Sequence, residues 1–188
     1  YRRRVVKPRP VGTLALPGDQ ARLREYTDPE TEAAKYLNAE HNIADNKAAL
    51  DGARAILMEQ FAEDAILLGQ LRERLWQVGE IRSEVVAGQE QTGEKFQDYF
   101  KHQEALRSLP SHRSLALLRG RNEGVLALKI VYQADDTPIT EASEFEQTIA
   151  AHYGIADQKR AADKWLKDTV RLTWRAKLFL SLELDAFN

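Results

Sequence analysis

Apolar residues that return every three or four positions over a long stretch leave a chain little choice but helix. From Leu50 they fall at Ala53, Leu57, Phe61, Ala65, Leu68, Leu71, Leu75 and Val78, with Ile43 ahead of them. This spacing predicts two helices, roughly 42–60 and 62–77. A second stripe, Trp165, Leu166, Val170, Trp174, Leu178 and Leu182, predicts one long final helix over 163–185. Trp165 and Trp174 are nine residues apart, about half a turn out of phase, so they cannot share a face. The expected class is mainly α, a helical bundle with one short strand or hairpin.

Punctuation divides the rest. Pro8, Pro10 and Pro17 with Gly12 and Gly18 forbid a continuous helix near the start, so 1–27 reads as a basic, Pro-rich arm. Thr27-Asp28-Pro29-Glu30 signals a helix start, with a short helix from Glu32 to Leu37. Gly52 suggests a close backbone approach inside the first long helix. Short helices are expected at Ile81–Val86, Lys95–Phe100 and Gln103–Leu109, with a polar loop from Gly88 to Gly93. Pro110 breaks the chain, Ser111 caps a helix to Arg119, and Gly120 ends it. Helix, Pro-bearing turn and helix are compatible with a helix-turn-helix unit. Val125–Tyr132 reads as a strand without an obvious partner, and Thr140–Tyr153 as a helix stopped by Gly154. The chain therefore divides into the arm, an acidic helical lobe at 28–108 and a helix-turn-helix-like lobe at 109–188 carrying the long final helix.

Cysteine is absent, which removes disulfides, thiolate metal sites and Cys nucleophiles and fits a cytoplasmic setting. No run approaches a membrane span, so no membrane partner is expected. The basic start lacks a following apolar segment, so it is no secretion signal. A first residue of Tyr rather than Met reads as a piece of something longer. The net charge of −2 conceals alternating blocks: +5 over 1–27, −8 over 28–94, +4 over 101–129, −5 over 130–155, +4 over 156–178 and −2 in the tail. Charges screen over about 8 Å at physiological salt, so local patches matter more to a phosphate backbone than the total. Near-neutrality does not exclude nucleic acid. These blocks are also what ordinary solvated helix faces look like.

Nothing in the chain spells catalysis. His41, His102, His112 and His152 never fall at i, i+4, so the two-histidine helical metal pattern is missing. Asp98 and His102 fall one helical turn apart if that short helix continues, a pairing that is usually a surface hydrogen bond. No phosphate-cradling or nucleophile-elbow motif occurs, and acidic pairs such as Glu63-Asp64 read as solvated. No enzyme, metal or cofactor is expected. Ser111-His112-Arg113 sits at a helix start, where free N–H groups favour anions. Arg113, Arg119 and Arg121 are therefore candidate nucleic-acid contacts, with Arg2, Arg3 and Arg4 in the arm. For Arg113 the alternative is an ion pair with an internal acid.

Three stretches carry a specific resemblance. Asp45-Asn46-Lys47-Ala48-Ala49-Leu50-Asp51-Gly52-Ala53-Arg54-Ala55-Ile56-Leu57 is one, and Lys95-Phe96-Gln97-Asp98-Tyr99-Phe100 another. The third is Pro110-Ser111-His112-Arg113-Ser114-Leu115-Ala116-Leu117-Leu118-Arg119-Gly120-Arg121-Asn122-Glu123-Gly124-Val125-Leu126. Together with Trp174-Arg175-Ala176-Lys177 they resemble the bacterial Tex family of transcription accessory proteins over roughly 28–188. The resemblance implies part of the N-terminal helical region, a helix-turn-helix-like domain interrupted by a long helical insertion. In the family this region precedes YqgF, helix-hairpin-helix and OB-fold RNA-binding domains. It implies a non-catalytic role in nucleic-acid binding or docking. The partners would be RNA or DNA, RNA polymerase or other transcription machinery, and the later domains of the same protein. A purely structural scaffold is the alternative.

Overall fold

A computed structural model of the chain describes residues 28–38, 43–135, 137–138 and 140–187. The Pro-rich arm with Arg2, Arg3 and Arg4, and also His41, lie outside them. The described residues are mainly α, with seven α-helices and one three-stranded sheet. None of the helices is long and apolar enough to cross a membrane. Two compact units emerge, each assembled from two stretches of chain. The first takes the described residues up to Leu68 with Ala142–Phe179, and the second Gly69–Glu141 with those from Leu180 onward.

In the first unit, α1 (Pro29–Ala33) begins where the capping signal lies: the Asp28 carboxylate accepts from the Thr31 N–H at 3.1 Å. Helix α2 (Asn46–Glu63) is capped likewise by Asp45, which accepts from the Ala48 N–H at 2.7 Å. Asp64 then turns extended (φ −74, ψ 100) and separates α2 from α3 (Ala65–Val78). The two expected long helices are thus present, broken at a single residue. Helix α5 (Glu144–His152) starts later than the sequence suggests, because Ser143 caps it by accepting from the Glu146 N–H. Phe145 stacks on Trp174 at 4.4 Å between centroids and Phe61 on Tyr153 at 4.3 Å. Phe61, Phe145, Ile149 and Trp174 are completely buried.

The expected long final helix is present as α6 (Ala161–Thr173), a π-helical turn at Trp174–Leu178 and α7 (Phe179–Ala186). Its buried stripe Leu166, Val170, Trp174, Leu178 and Leu182 advances in strict steps of four. Each such step overruns a 3.6-residue turn by about 40°. The wider π turn takes up part of that excess and keeps the stripe closer to one face. Trp165 lies off that face, with the Arg54 guanidinium 5.4 Å from its ring centroid.

In the second unit, β1 (Glu80–Val85), β2 (Lys101–Ala105) and β3 (Leu126–Val131) form an antiparallel sheet in the order β2-β1-β3. The strand expected near 125–132 is there, and its missing partner is β1. Two expectations are corrected: Ile81–Val86 is strand, and Gln103–Leu109 is the end of β2 plus a 3-10 turn at Leu106–Ser108. Glu80-Ile81-Arg82-Ser83-Glu84-Val85 alternates with period two, turning Ile81 and Ser83 inward against Ile130 and Leu128. Ser83 is fully buried and satisfied, its hydroxyl donating to the Tyr99 carbonyl at 2.7 Å. The outer face is charged, with Arg82 on Asp135 at 2.8 Å and Lys129 facing Glu84 at 3.6 Å. At the β3 edge, the Ile130 N–H donates to Glu183 at 2.7 Å.

Helix α4 (Ser111–Asn122) corrects three further readings. Its N-cap is Pro110, without a side-chain cap bond, and not Ser111. What precedes Pro110 is β2 and a 3-10 turn, so no helix forms a pair with α4 at this point. Gly120 does not end it. The helix runs two residues past Gly120, and the backbone turns left-handed only at Gly124 (φ +73). Gly120 is instead where α4 meets β3: a Cβ there would sit 2.5 Å from Leu126 Cδ1. Gly52, read as a close approach, has no atom within 4 Å of a Cβ built on it.

The two glycines should therefore respond oppositely to alanine. Gly52→Ala should raise stability by about 0.5–1 kcal/mol through helix propensity and a stiffer unfolded chain. Gly120→Ala should lower it by about 1–3 kcal/mol, overpacking outweighing the same propensity gain. Urea unfolding of both variants checks this, and a stabilised Gly120→Ala would refute the close packing of α4 on β3.

Candidate nucleic-acid interface

Helix α4 presents His112, Leu115, Ala116 and Arg119 at i, i+3, i+4 and i+7, so these four share one face. Opposite them runs the 3-10 segment Glu94–Tyr99, which contributes Lys95, Phe96 and Tyr99. The two elements line a groove of about 380 Å³. Phe96 is buried in its floor, while Leu115 is 68 % exposed on its wall. The Tyr99 ring packs edge-on against His102 at 5.5 Å. Lys95 and Arg119 both reach the Glu123 carboxylate, Lys95 at 2.5 Å to one oxygen and Arg119 at 2.9 Å to the other. These hydrogen bonds, Lys95 first and then Arg119, hold the Glu123 carboxyl below its ordinary range.

The three arginines singled out from the sequence go separate ways. Arg113 turns toward the inner face of β2 and bonds Glu104 at 2.5 Å. Of its two readings, the internal ion pair is the one observed. That bond, ahead of a weaker one from His102 at 3.3 Å, lowers the Glu104 carboxyl and raises the Arg113 guanidinium. His102 thus faces Glu104 two residues along the strand, and the helical spacing expected for Asp98 and His102 is not formed. Arg121 lies 5.1 Å from the Phe187 ring centroid and donates to the Phe187 carbonyl at 3.5 Å. Only Arg119 faces the groove, and its side chain is 71 % exposed.

Sequence reasoning passed over Lys95, Tyr99 and His112 as groove residues. The available signal was the four-residue stripe on α4, whose exposed Leu115 has no core to face. Asp64, read from the sequence as a solvated acid, is corrected: its side chain is only 19 % exposed and fully engaged. Its Oδ1 accepts from the Ile66 and Leu67 N–H groups at 3.0 Å each, capping α3. Its Oδ2 takes His152 Nε2 at 2.9 Å and the Tyr153 hydroxyl at 3.0 Å. Burial pushes the Asp64 carboxyl up, but the Leu67 N–H, His152 and Tyr153 together hold it below the usual carboxylate range. Burial, then Asp64, pushes the Tyr153 phenol strongly up. Glu146 is another buried acid, 4 % exposed at its side chain, with Arg175 at 3.1 Å and Arg171 at 3.6 Å. Among the described residues no three His, Asp or Glu side chains gather in a way that could hold a metal.

Comparisons with known proteins agree with the resemblance read from the sequence. A family model described as Tex central region-like matches residues 24–188. The Transcriptional accessory protein Tex of Neisseria gonorrhoeae is 62 % identical over 161 residues, 86 % of this chain and 20 % of its own length. Protein YhgF of Escherichia coli is 50 % identical over 159 residues, 84 % of this chain and 20 % of its own. Protein tex of Bordetella pertussis is 45 % identical over 167 residues, 86 % and 21 % respectively. The chain belongs to the Tex family. It spans about a fifth of the length of these relatives. The motifs had suggested the N-terminal helical part of such proteins, and the matching model carries the description of a central region.

Proposed function

We propose that this chain is a non-catalytic module of a transcription accessory protein and that it contacts nucleic-acid phosphates through the α4 groove. The observation carrying this reading is the meeting of Lys95, His112 and Arg119 beside the half-exposed Tyr99 in one groove. Relatives named for transcription give it context. Contacts of this kind position a nucleic acid without reading its bases. Arg113 and Arg121 then act as framework: one ties α4 to β2, the other ties α4 to Phe187.

The test is a fluorescence anisotropy titration of RNA and DNA, single-stranded and duplex, over a range of salt. The double variant Lys95→Ala/Arg119→Ala should bind about tenfold more weakly at low salt, and its log–log salt slope should be shallower by about 1.4–1.8. Arg113→Ala should change stability more than the salt slope. An unchanged slope in the double variant would remove the groove from the interface.

The exposed Leu115 favours one second reading, a docking surface for RNA polymerase or for another domain of the same protein. Polymerase capture by the wild type that Leu115→Ser abolishes, with no nucleic-acid binding, would select it.

A further inference from the structure

The groove already contains an anion of its own. Glu123 follows directly on α4, at its C-cap, and places one carboxylate oxygen on Lys95 and the other on Arg119. The two cations come from different elements, the 3-10 segment and the helix, and Glu123 is the described acid that pairs with each of them. A carboxylate spanning two cations in this way occupies the position a phosphate would take, with two acceptor oxygens directed at two donors. The link is also easily broken. Side-chain exposures are 54 % for Lys95, 71 % for Arg119 and 35 % for Glu123, so water replaces these contacts at little cost.

We propose that Glu123 is an internal competitor for the Lys95–Arg119 pair: a nucleic-acid phosphate must displace it to enter the groove. This rests on the reading of the groove as a phosphate-contacting surface and adds a regulatory element to it. Displacement makes the groove selective for densely charged ligands. A lone phosphate exchanges one anion for another, whereas a polyanion gains a further contact at His112. Deletion of the competitor by an isosteric change leaves the groove's shape and adds one net positive charge. Glu94 and Asp98 lie on the 3-10 segment and Glu104 is held by Arg113, but Glu123 is the acid bonded to both groove cations, at 2.5 Å and 2.9 Å. Neutralising Glu123 therefore removes the acid closest to the two cations.

The experiment compares four forms of the chain: wild type, Glu123→Gln, Lys95→Ala/Arg119→Ala and the triple variant. Each is titrated with a labelled oligonucleotide, single-stranded and duplex, at several salt concentrations. Thermal melts confirm that each form is folded. Glu123→Gln should bind about three- to tenfold more tightly than wild type at low salt, with a steeper salt dependence. The triple variant should lose that gain and match the double. If Glu123→Gln equals wild type while the double variant is weaker, the competitor is refuted and the phosphate-contacting groove stands. If all four forms bind alike, or none binds, both fall. An increase in Glu123→Gln that persists in the triple variant would be a general charge effect and would also refute the competitor.

Discussion

Replacing Asp64 with alanine should remove about 2–4 kcal/mol from the stability of the unit that holds it, the sum of a lost helix cap and two buried donors left unsatisfied. One carboxylate does both jobs. Oδ1 takes the first free N–H groups of α3, and Oδ2 takes His152 and Tyr153 from the end of α5. Without it, the Tyr153 hydroxyl stays enclosed beside Phe61 with no acceptor from Asp64. Asp64→Asn keeps an acceptor for the cap and should cost roughly half as much. The pH dependence has a definite sign. A carboxyl whose folded pKa is lowered adds stability that is present above its unfolded value and lost as pH falls through the folded one. The gap between wild type and Asp64→Ala should thus be full at pH 7 and narrow in acid, below about pH 4, toward the part that a neutral carboxyl keeps. Urea titrations from pH 7 to pH 3 measure this, and a gap independent of pH would contradict the role of the charge.

Removing the acid from the Glu146 cluster should cost about 2–4 kcal/mol, less than a fully enclosed ion pair because both arginines keep partial access to water. Glu146 lies in the first turn of α5, where Ser143-x-x-Glu146 reads as a capping box, yet its carboxylate turns to Arg175 and Arg171. It thereby links α5 to the π-helical turn whose Trp174 stacks on Phe145. Glu146→Ala should loosen that stack, visible as a red shift and broadening of the tryptophan fluorescence. Arg175→Ala should be comparably damaging, since it strands a buried carboxylate with only the longer Arg171 contact. The double variant should be less unstable than the two losses added together. A double-mutant cycle with no coupling would show that the two side chains act independently.

Much of the helical framework was legible in the chain. Helices α2, α3 and α4 and the α6–α7 run all begin within a few residues of where apolar period, caps and prolines place them. The sheet was not. β1 alternates properly, but Ser83 occupies an inward position and its outward Glu80, Arg82 and Glu84 include strong helix formers. Strand preference depends on what the neighbours supply, and that cannot be read from the strand alone. β2, Lys101-His102-Gln103-Glu104-Ala105, has no apolar pattern at all. It becomes strand because it pairs with β1, and its inward His102 and Glu104 are answered by each other and by Arg113. Of the candidate arginines, residue type identified the cations but could not tell which were already engaged.

The long helices near 46–78 and 161–186 and the absence of cysteine were determined by the amino-acid sequence by itself, because caps and apolar stripes join residues only three or four apart. The family was determined there too, through strings of residue identity. Tertiary structure alone decided that Ile81 meets Ile130, that Asp64 meets His152, and that each compact unit is built from two separate stretches. It also decided that Arg113 is held by Glu104 while Lys95 and Arg119 share Glu123 across the groove. Ladder bonds and ion pairs between distant segments depend on how helices and strands pack, and no local pattern encodes them.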